Sequence, residues 1–556
     1  MNQRSFSQLD DDVLIHIFGF LNLSSLLRIR QTSKRCLAIS QLLVVWKNIF
    51  REDVLRPRYP YPPEALETND AGYLEFLTRR SCQLASFWLS PTPSSPRLCH
   101  RFDTRTSGTG ISEIRFIPGT RAQRVVLVSK GIWSVVSCWD LGVEPSVSST
   151  PSINPRKIAE WRPSRVILTG FAVNSRSEAD GLFAVGLNRG GDHSIEILTL
   201  RAHQVHIDGA GLPYELTCIQ TVETNCIPMA LHGSTLIISD GARETHIVDW
   251  KTANTAVLQR PASSDEYELE HNRCLQVVLT EYHVFVVRAH VVELYPIPQL
   301  FPPPVESNSI VRPVMQFSLG WIDDASITPQ LPASIPHREA GANLLPPISI
   351  VLRSEVNDPW SSDSSNISMY ALKPSKASDL AILRYFAPHI WDGDQAKRPP
   401  YVQNPTLVAS IPNASRDGVR SLRCPVIRSG RFGTSIWIQP PRRFGRDIGL
   451  TTFDVHSSRI YEDIHTLRSD DNEAVDSDML VGAVFPGQMS SLMKRHGVYS
   501  SLDDKFKLSN ICSAYTGSSG EAVSTSSGYW MSMDYAEEWG RIVLGYSDGT
   551  VMFVEL

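Results

Sequence analysis

LDDDVLIHIFGFLNLSSLLRIRQTSKRCLAISQLLVVWKNIF, from Leu9 to Phe50, is the stretch from which the rest of the chain is read. Asp10, Asp11 and Asp12 stand before an apolar run, and carboxylates in a first turn complement the positive end of a helix dipole. Val13, Leu14, Ile17, Phe18 and Leu21 recur at helical spacing and form one wide apolar stripe. Asn22 and Leu23 interrupt it, and Ser24 or Ser25 is placed to cap a second helix through Leu26, Leu27 and Ile29. Thr32 and Ser33 offer the next cap, ahead of Leu37 and Ile39, and a last turn carries Leu42, Val45, Trp46, Ile49 and Phe50. The pattern predicts three short helices.

About forty residues cannot enclose so many large apolar side chains, and units of that size usually need outside help. Fully burying one Leu, Ile or Phe is worth roughly 1.5–3 kcal/mol, so a partner that covers the leftover face is the economical solution.

The order of residues resembles the F-box. Leu9 matches the family's opening Leu, Ile17-Phe18 and Leu21 its apolar core, and Leu23, Leu26 and Leu27 its second segment. Lys34-Arg35 match the basic pair and Val45-Trp46 the closing pair. Three positions depart from the pattern: Asp10 replaces Pro, Ser33 replaces Cys, and Cys36 stands where Trp is usual. The resemblance implies contact with a Skp-family adaptor, and through it a cullin, by way of Leu9, Leu14, Ile17, Phe18, Leu21, Leu26, Leu27 and Trp46. Some of these will form the unit's own core instead.

Working outward, Pro57, Pro60, Pro62 and Pro63 make a stiff spacer. A helix then runs from about Asp70 to Leu89, with Tyr73, Leu74, Leu77, Leu84 and Trp88 near one face and Arg79 and Arg80 off it. It reads as a brace that docks the N-terminal unit on the C-terminal domain. The expected domains are 1–52 (F-box), 53–96 (Pro-rich linker and bracing helix) and 97–556 (a large all-β domain).

Beyond Arg97 the pattern changes to short alternating strands with Gly, Asn, Asp, Ser and Pro between them. One strand motif recurs as SVVSCWDL (Ser134–Leu141), SIEILTL (Ser194–Leu200), THIVDW (Thr245–Trp250) and VVELY (Val291–Tyr295). Further copies are NISMYAL (Asn366–Leu372), LTTFDV (Leu450–Val455) and TVMFVEL (Thr550–Leu556). A second hydrophobic strand often precedes it, as RVVLVS (Arg124–Ser129) and RIVLGY (Arg541–Tyr546) do, and Asp548-Gly549 supplies a tight hairpin turn.

Strand pairs that cannot bury both faces alone imply radial stacking. The set resembles a WD40-like β-propeller of seven blades, with Trp139-Asp140 as its one literal Trp-Asp pair. An eighth blade in the last long gap is an alternative, as is a two-sheet sandwich or several β domains. The copies lie about 45 to 100 residues apart against ~40–45 in regular repeats, so large insertions are expected. Pro296–Pro347, the acidic Ser469–Asp478 and the Ser/Gly-rich Thr516–Gly528 read as those loops. The final motif lacks an outer strand, and a segment near Ser95–Phe102 or Ile111–Ile117 is expected to complete it and close the ring.

Composition narrows the function. The 556 residues are 42% hydrophobic with a net charge of −5 and a pI near 6.3, which gives no bias toward nucleic acid or anionic membrane. Nine scattered cysteines without a Cys-x-x-Cys indicate neither a disulfide framework nor a zinc site, and reduced thiols in cytosol or nucleus fit. No signal peptide and no apolar run of bilayer length is visible. No phosphate-binding glycine loop occurs, no zinc-protease or hydrolase motif stands out, and His203 and His206 would point to opposite faces of a strand. No cofactor, metal or catalytic residue is expected.

One segment has a binding signature. Between Arg416 and Arg446 eight arginines interleave with Phe432, Trp437 and Phe444, and guanidinium groups grip carboxylate or phosphate in a two-pronged way. Arg428, Arg431, Trp437, Arg442, Arg443 and Arg446 are therefore candidates for an acidic or phosphorylated target, with nucleic acid the weaker partner. The bland alternative is a solvated loop whose arginines pair with Ser469–Asp478. The F-box resemblance implies a substrate receptor of an SCF-type cullin ubiquitin ligase without catalytic residues of its own. The alternative is a non-enzymatic scaffold.

Overall fold

In the computed structural model the described residues are 9–90, 95–104, 109–130, 134–143, 153–202, 212–240, 244–260, 272–302, 310–331, 345–354, 365–375, 399–413, 424, 426–439, 479–484, 489, 507–513 and 529–556. Four short helices open the chain: α1 (Asp11–Gly19), α2 (Leu23–Ile29), α3 (Lys34–Ser40) and α4 (Leu43–Phe50). The last turn anticipated from Leu42 to Phe50 is thus an eight-residue helix of its own. Asn22, not Ser24 or Ser25, caps α2: its side chain accepts the Ser25 amide at 2.8 Å. Ser33 caps α3 as expected, accepting the Cys36 amide at 3.1 Å. A seven-residue helix has little propensity to spare, so Asn22→Ala is expected to cost about 1 kcal/mol, read as a lowered urea midpoint at unchanged slope.

A π-helical turn (Arg51–Leu55), the short α5 (Glu64–Glu67) and the long α6 (Ala71–Leu89) complete the helical part. Asp70 caps α6 through the Gly72 amide at 2.9 Å. Leu74, Leu77, Leu84 and Trp88 are buried on it, and so is Arg80. The expectation that Arg80 lies off the packed face is corrected: it meets a buried carboxylate, Glu555, at 2.9 Å, which removes the usual penalty for enclosing a cation.

The strands form seven blades, each with four antiparallel strands and one with an added fifth strand. Blade 1 is Ile111–Phe116, Arg124–Ser129, Val135–Asp140 and Arg156–Trp161; blade 2 is Ile167–Val173, Phe183–Arg189, Asp192–Ala202 and Tyr214–Glu223. Blade 3 is Ile227–His232, Thr235–Ser239, Glu244–Asp249 and Thr255–Gln259; blade 4 is Cys274–Leu279, His283–Arg288, Val292–Pro296 and Met315–Phe317. Blade 5 is Ile322–Pro329, Ile348–Ser354, Ser365–Leu372 and Thr406–Asn413; blade 6 is Ile427–Ser429, Thr434–Gln439, Met479–Val484 and Lys507–Ser513. Blade 7 is Trp530–Ala536, Arg541–Tyr546 and Thr550–Glu555, with Leu98–Asp103 as its outer strand.

That outer strand closes the ring as anticipated. Leu98 pairs with Glu555 and Asp103 with Thr550, and Arg101 bonds Asp548 at 2.7 Å, so the first and last strands of the domain hold each other. Six of the seven motif copies are third strands of blades. LTTFDV lies outside the described residues, and the third strand of blade 6 is Met479–Val484. Strands in the last long gap complete blade 6; no eighth blade occurs among the described residues.

Pro296–Pro347 is not one loop. It supplies the outer strand of blade 4, the start of blade 5, and a parallel fifth strand (Ile310–Val311) on the edge of blade 3. Proline is tolerated there because these are edge strands and strand ends, where a missing N–H breaks no ladder.

Inner strands are tied by side chains that accept main-chain amides from the next blade. Gln276 accepts from Ile327 at 3.0 Å, Asp324 from Ile427 at 2.8 Å, and Asp534 from Phe116 at 2.8 Å. The helices dock on the face carrying the turns from first to second strands. There Arg541 bonds the carbonyls of Arg121 and Ala122, Arg80 bonds that of Trp539, and Arg121 stacks on Tyr73 of α6 at 4.9 Å. One apolar core runs from Leu14 and Phe18 through Trp46, Leu77 and Trp88 to Trp530 and Tyr546. The brace is therefore rigid, because helices and blades share an interior.

Candidate functional site

Each N-terminal helix divides its apolar residues between two covers. On α1, Leu14 and Phe18 are one helical turn apart and fully inside, while Val13 and Phe20 face out. On α2, Leu26 points in, with Leu23 and Leu27 half-buried beside it. On α3, Cys36 and Ile39 point in and Leu37 out. On α4, Val45, Trp46, Ile49 and Phe50 point in, and Leu42, just before it, and Val44 point out.

The exposures decide the matter. Phe20 is 75% exposed, Val44 47%, Val13 43%, Leu42 41% and Leu37 39%. Isolated exposed leucines are ordinary; here five exposed apolar side chains fall within thirty-two residues of a unit whose inner faces are filled.

The geometry behind that surface is fixed. Arg35 of α3 donates to Asp11 of α1 at 2.8 Å and also to the Leu9 carbonyl, stapling the first and third helices together. Asp53 accepts the Leu23 amide at 2.6 Å, anchoring the start of α2 to the π-turn. Arg30 grips both carboxylate oxygens of Glu75 on α6, at 2.8 and 3.0 Å, and lies 5.5 Å from the Trp46 ring. A two-pronged pair with little exposure on either side holds orientation as well as charge. At the far end of α1, His16 packs edge-on against Phe20 at 4.9 Å, and Phe20, Asn48, Arg51, Glu52 and Arg56 line a cleft of about 440 Å³.

Of the eight residues expected to contact an adaptor, Leu14, Phe18, Leu26 and Trp46 are 0–1% exposed and belong to the shared core. Leu9, Ile17, Leu21 and Leu27 are half-buried and border the open surface. The most exposed apolar residues, Val13, Phe20, Leu37, Leu42 and Val44, were not among the eight. For Val13 the signal was the width of the α1 stripe, which exceeds what one packing partner covers; for the other four the local sequence carried none.

Of the arginine-rich segment, the described residues lie in and beside blade 6. Trp437 and Phe432 are inside blade 6 at 0% and 2% exposure. Arg428 pairs with Asp534 at 3.4 Å and Arg431 with Glu538 at 3.1 Å, so their charges serve the seam between blades 6 and 7. The physical reason is alternation along a strand, which puts every second side chain of such a segment inside. Arg442, Arg443 and Arg446, and the Ser469–Asp478 run, lie outside the described residues, as do His203 and His206. Among the described residues no group of three His, Cys, Asp or Glu is placed to hold a metal, and no helix is long and apolar enough to cross a membrane.

The N-terminal helices are joined through a brace to a closed seven-bladed ring and share one apolar core with it. Residues 6–48 match the family model of the F-box domain, and the chain is an F-box protein with a propeller domain. The comparison with curated proteins finds no match. Among solved structures, the chain is similar to Sqt1 from Chaetomium thermophilum, with 10% identity over 83% of this chain and 100% of that one and a TM-score of 0.39. It is also similar to the β-propeller domain of Cps50 (Swd1) from Myceliophteria thermophila, with 9% identity over 82% and 100% and a TM-score of 0.38. At such scores the seven-bladed assignment rests on the strand pairing itself.

Proposed function

We propose that this chain is the substrate-recognition subunit of an SCF-type cullin ubiquitin ligase, with the F-box binding a Skp-family adaptor and the propeller binding the target protein. The observation that carries the reading is the apolar surface of α1, α3 and α4, left open on helices whose inner faces are already filled. F-box domains as a class bind Skp-family adaptors. The mechanism is positioning. A target held on the propeller and a ubiquitin-charged enzyme brought by the cullin meet at a high local concentration, provided that the arm between them is stiff. Arg80–Glu555 and Arg30–Glu75 supply that stiffness. The chain contributes no nucleophile, acid or base to the transfer.

The second reading, a scaffold whose F-box helices work outside a ligase, draws on the same shared core, since the helices do cap blades 6 and 7. Affinity purification of the full chain from its own cells separates the two. The receptor reading expects both a Skp-family adaptor and a cullin among the captured proteins. Recovery of an adaptor with no cullin favours the scaffold, and recovery of neither refutes the receptor.

A further inference from the structure

SPTPSSPR (Ser90–Arg97) runs from the end of α6 to the strand that closes the ring. Five Ser-Pro or Thr-Pro dipeptides occur in the chain, and three of them fall here, at Ser90, Thr92 and Ser95. The fold separates the three. Ser90 ends the brace helix, half-buried, with its amide donating to the Ser86 carbonyl at 2.9 Å. Thr92 lies outside the described residues. Ser95 is exposed and stands outside helix and strand. A residue before proline is driven to extended backbone, and Pro96 itself has no N–H to donate. An exposed hydroxyl on extended chain, followed by a residue without an amide hydrogen, suits a kinase whose pocket for that next residue is apolar.

The surroundings are cationic. Arg97, also exposed, is two residues on, and side chains two apart on extended chain share a face. Leu98 pairs with Glu555, which pairs in turn with Arg541 and bridges to Arg80 of α6 at 2.9 Å. Arg80, Arg97 and Arg541 thus stand around Glu555 where brace and ring are joined. Burial lowers both Arg80 and Arg541; Glu555 opposes the fall, and the Arg97 charge adds to it. A phosphate brings about −1.5 to −2 in charge and three acceptor oxygens, which a guanidinium grips in a two-pronged way.

We propose that Ser95 is a phosphorylation site for a proline-directed protein kinase, and that its phosphate, held by Arg97, tightens the joint between the brace and the ring. ATP is the donor: its γ-phosphoryl group moves to Ser95 Oγ, the bond to the ADP oxygen breaks as the Oγ–P bond forms, and the hydroxyl proton leaves to a base on the kinase. The site stands whether or not the chain serves a ligase.

Incubation of the full chain with ATP and a purified mitogen-activated protein kinase, with fragmentation mass spectrometry to place the phosphate, tests the site. Ser95 is expected to be modified in the folded chain, and still to be modified when Ser90→Ala and Thr92→Ala are combined. Pro96→Ala is expected to slow the reaction at Ser95 by more than about tenfold, since the kinase's discrimination rests on that residue. No phosphate on Ser95 while a peptide of residues 88–99 is modified, or an unchanged rate in Pro96→Ala, overturns the site. Hydrogen exchange then reads the joint. Amides of residues 98–103 are expected to exchange about threefold more slowly after phosphorylation, as one exposed ion pair allows, and Arg97→Gln removes that slowing. No slowing, or the same slowing in Arg97→Gln, overturns the tightening.

Discussion

Serine at Val13, Phe20 and Val44 together is expected to weaken binding of a Skp-family adaptor by more than about 100-fold while leaving the thermal midpoint within a few degrees of wild type. The three side chains are 43%, 75% and 47% exposed, and substitutions at such positions usually change stability by less than ~0.5 kcal/mol each. Covering the area still exposed returns about 0.7 kcal/mol for each valine and about 2 kcal/mol for Phe20, and roughly 1.4 kcal/mol is a factor of ten in affinity, so the three losses amount to somewhat over two orders of magnitude. Titration calorimetry of wild type and variant against purified adaptor reads the difference. Unchanged affinity in the triple variant would place the contact elsewhere. Ile17→Ala with Phe18→Ala is the poorer test, since Phe18 is fully buried and its truncation costs about 3–5 kcal/mol in a core shared with the blades.

The second large effect concerns the tether. Glu555→Ala is expected to destabilise the chain by about 3–5 kcal/mol, because it strands buried cations without their counter-charge. Arg80 pairs with Glu555 at 2.9 Å with both side chains nearly enclosed, and Arg541 is also buried beside them. Burial pushes the Arg541 guanidinium down to about 10 and lowers Arg80 as well; in both cases the Glu555 charge opposes the fall. Urea unfolding measures the loss. Arg80→Met combined with Glu555→Met should recover most of it, since a hydrophobic pair needs no counter-charge. A loss below about 1 kcal/mol in Glu555→Ala would mean that α6 is held by apolar packing alone.

What could be read from the sequence depended on which physical signal was local. The helical stripe of α1, the Ser33 cap and the Asp70 start of α6 are written in consecutive residues, and the structure has them. The third strands were legible because Ser134–Leu141 and its relatives alternate and end in an aromatic or Leu near a polar residue. Ring closure came from the missing outer strand of the last blade, and Leu98–Asp103 supplies it.

Other features depend on partners distant in sequence. Arg80 looked solvent-facing because nothing near it announces Glu555, which lies at the opposite end of the chain. The third strand of blade 6 was missed because MLVGAV (Met479–Val484) ends in Ala-Val and lacks the aromatic or Leu beside a polar residue that marks most of the other copies. In the Arg416–Arg446 segment, composition does not reveal that Phe432 and Trp437 turn into blade 6. On the F-box helices, periodicity showed that the stripe was too wide, but which edge faced the brace was settled by α4 and α6 packing together.

The central claim is that the F-box helices leave an apolar surface for a second polypeptide to cover. Hydrogen exchange of the full chain with and without a purified Skp-family adaptor tests it most directly. A stable complex is expected, in which amides of residues 11–20 and 34–50 slow markedly on binding, while those of blades 2, 3 and 4 are unaltered. No complex at micromolar concentrations, or a footprint confined to the propeller with the helices unchanged, would contradict it.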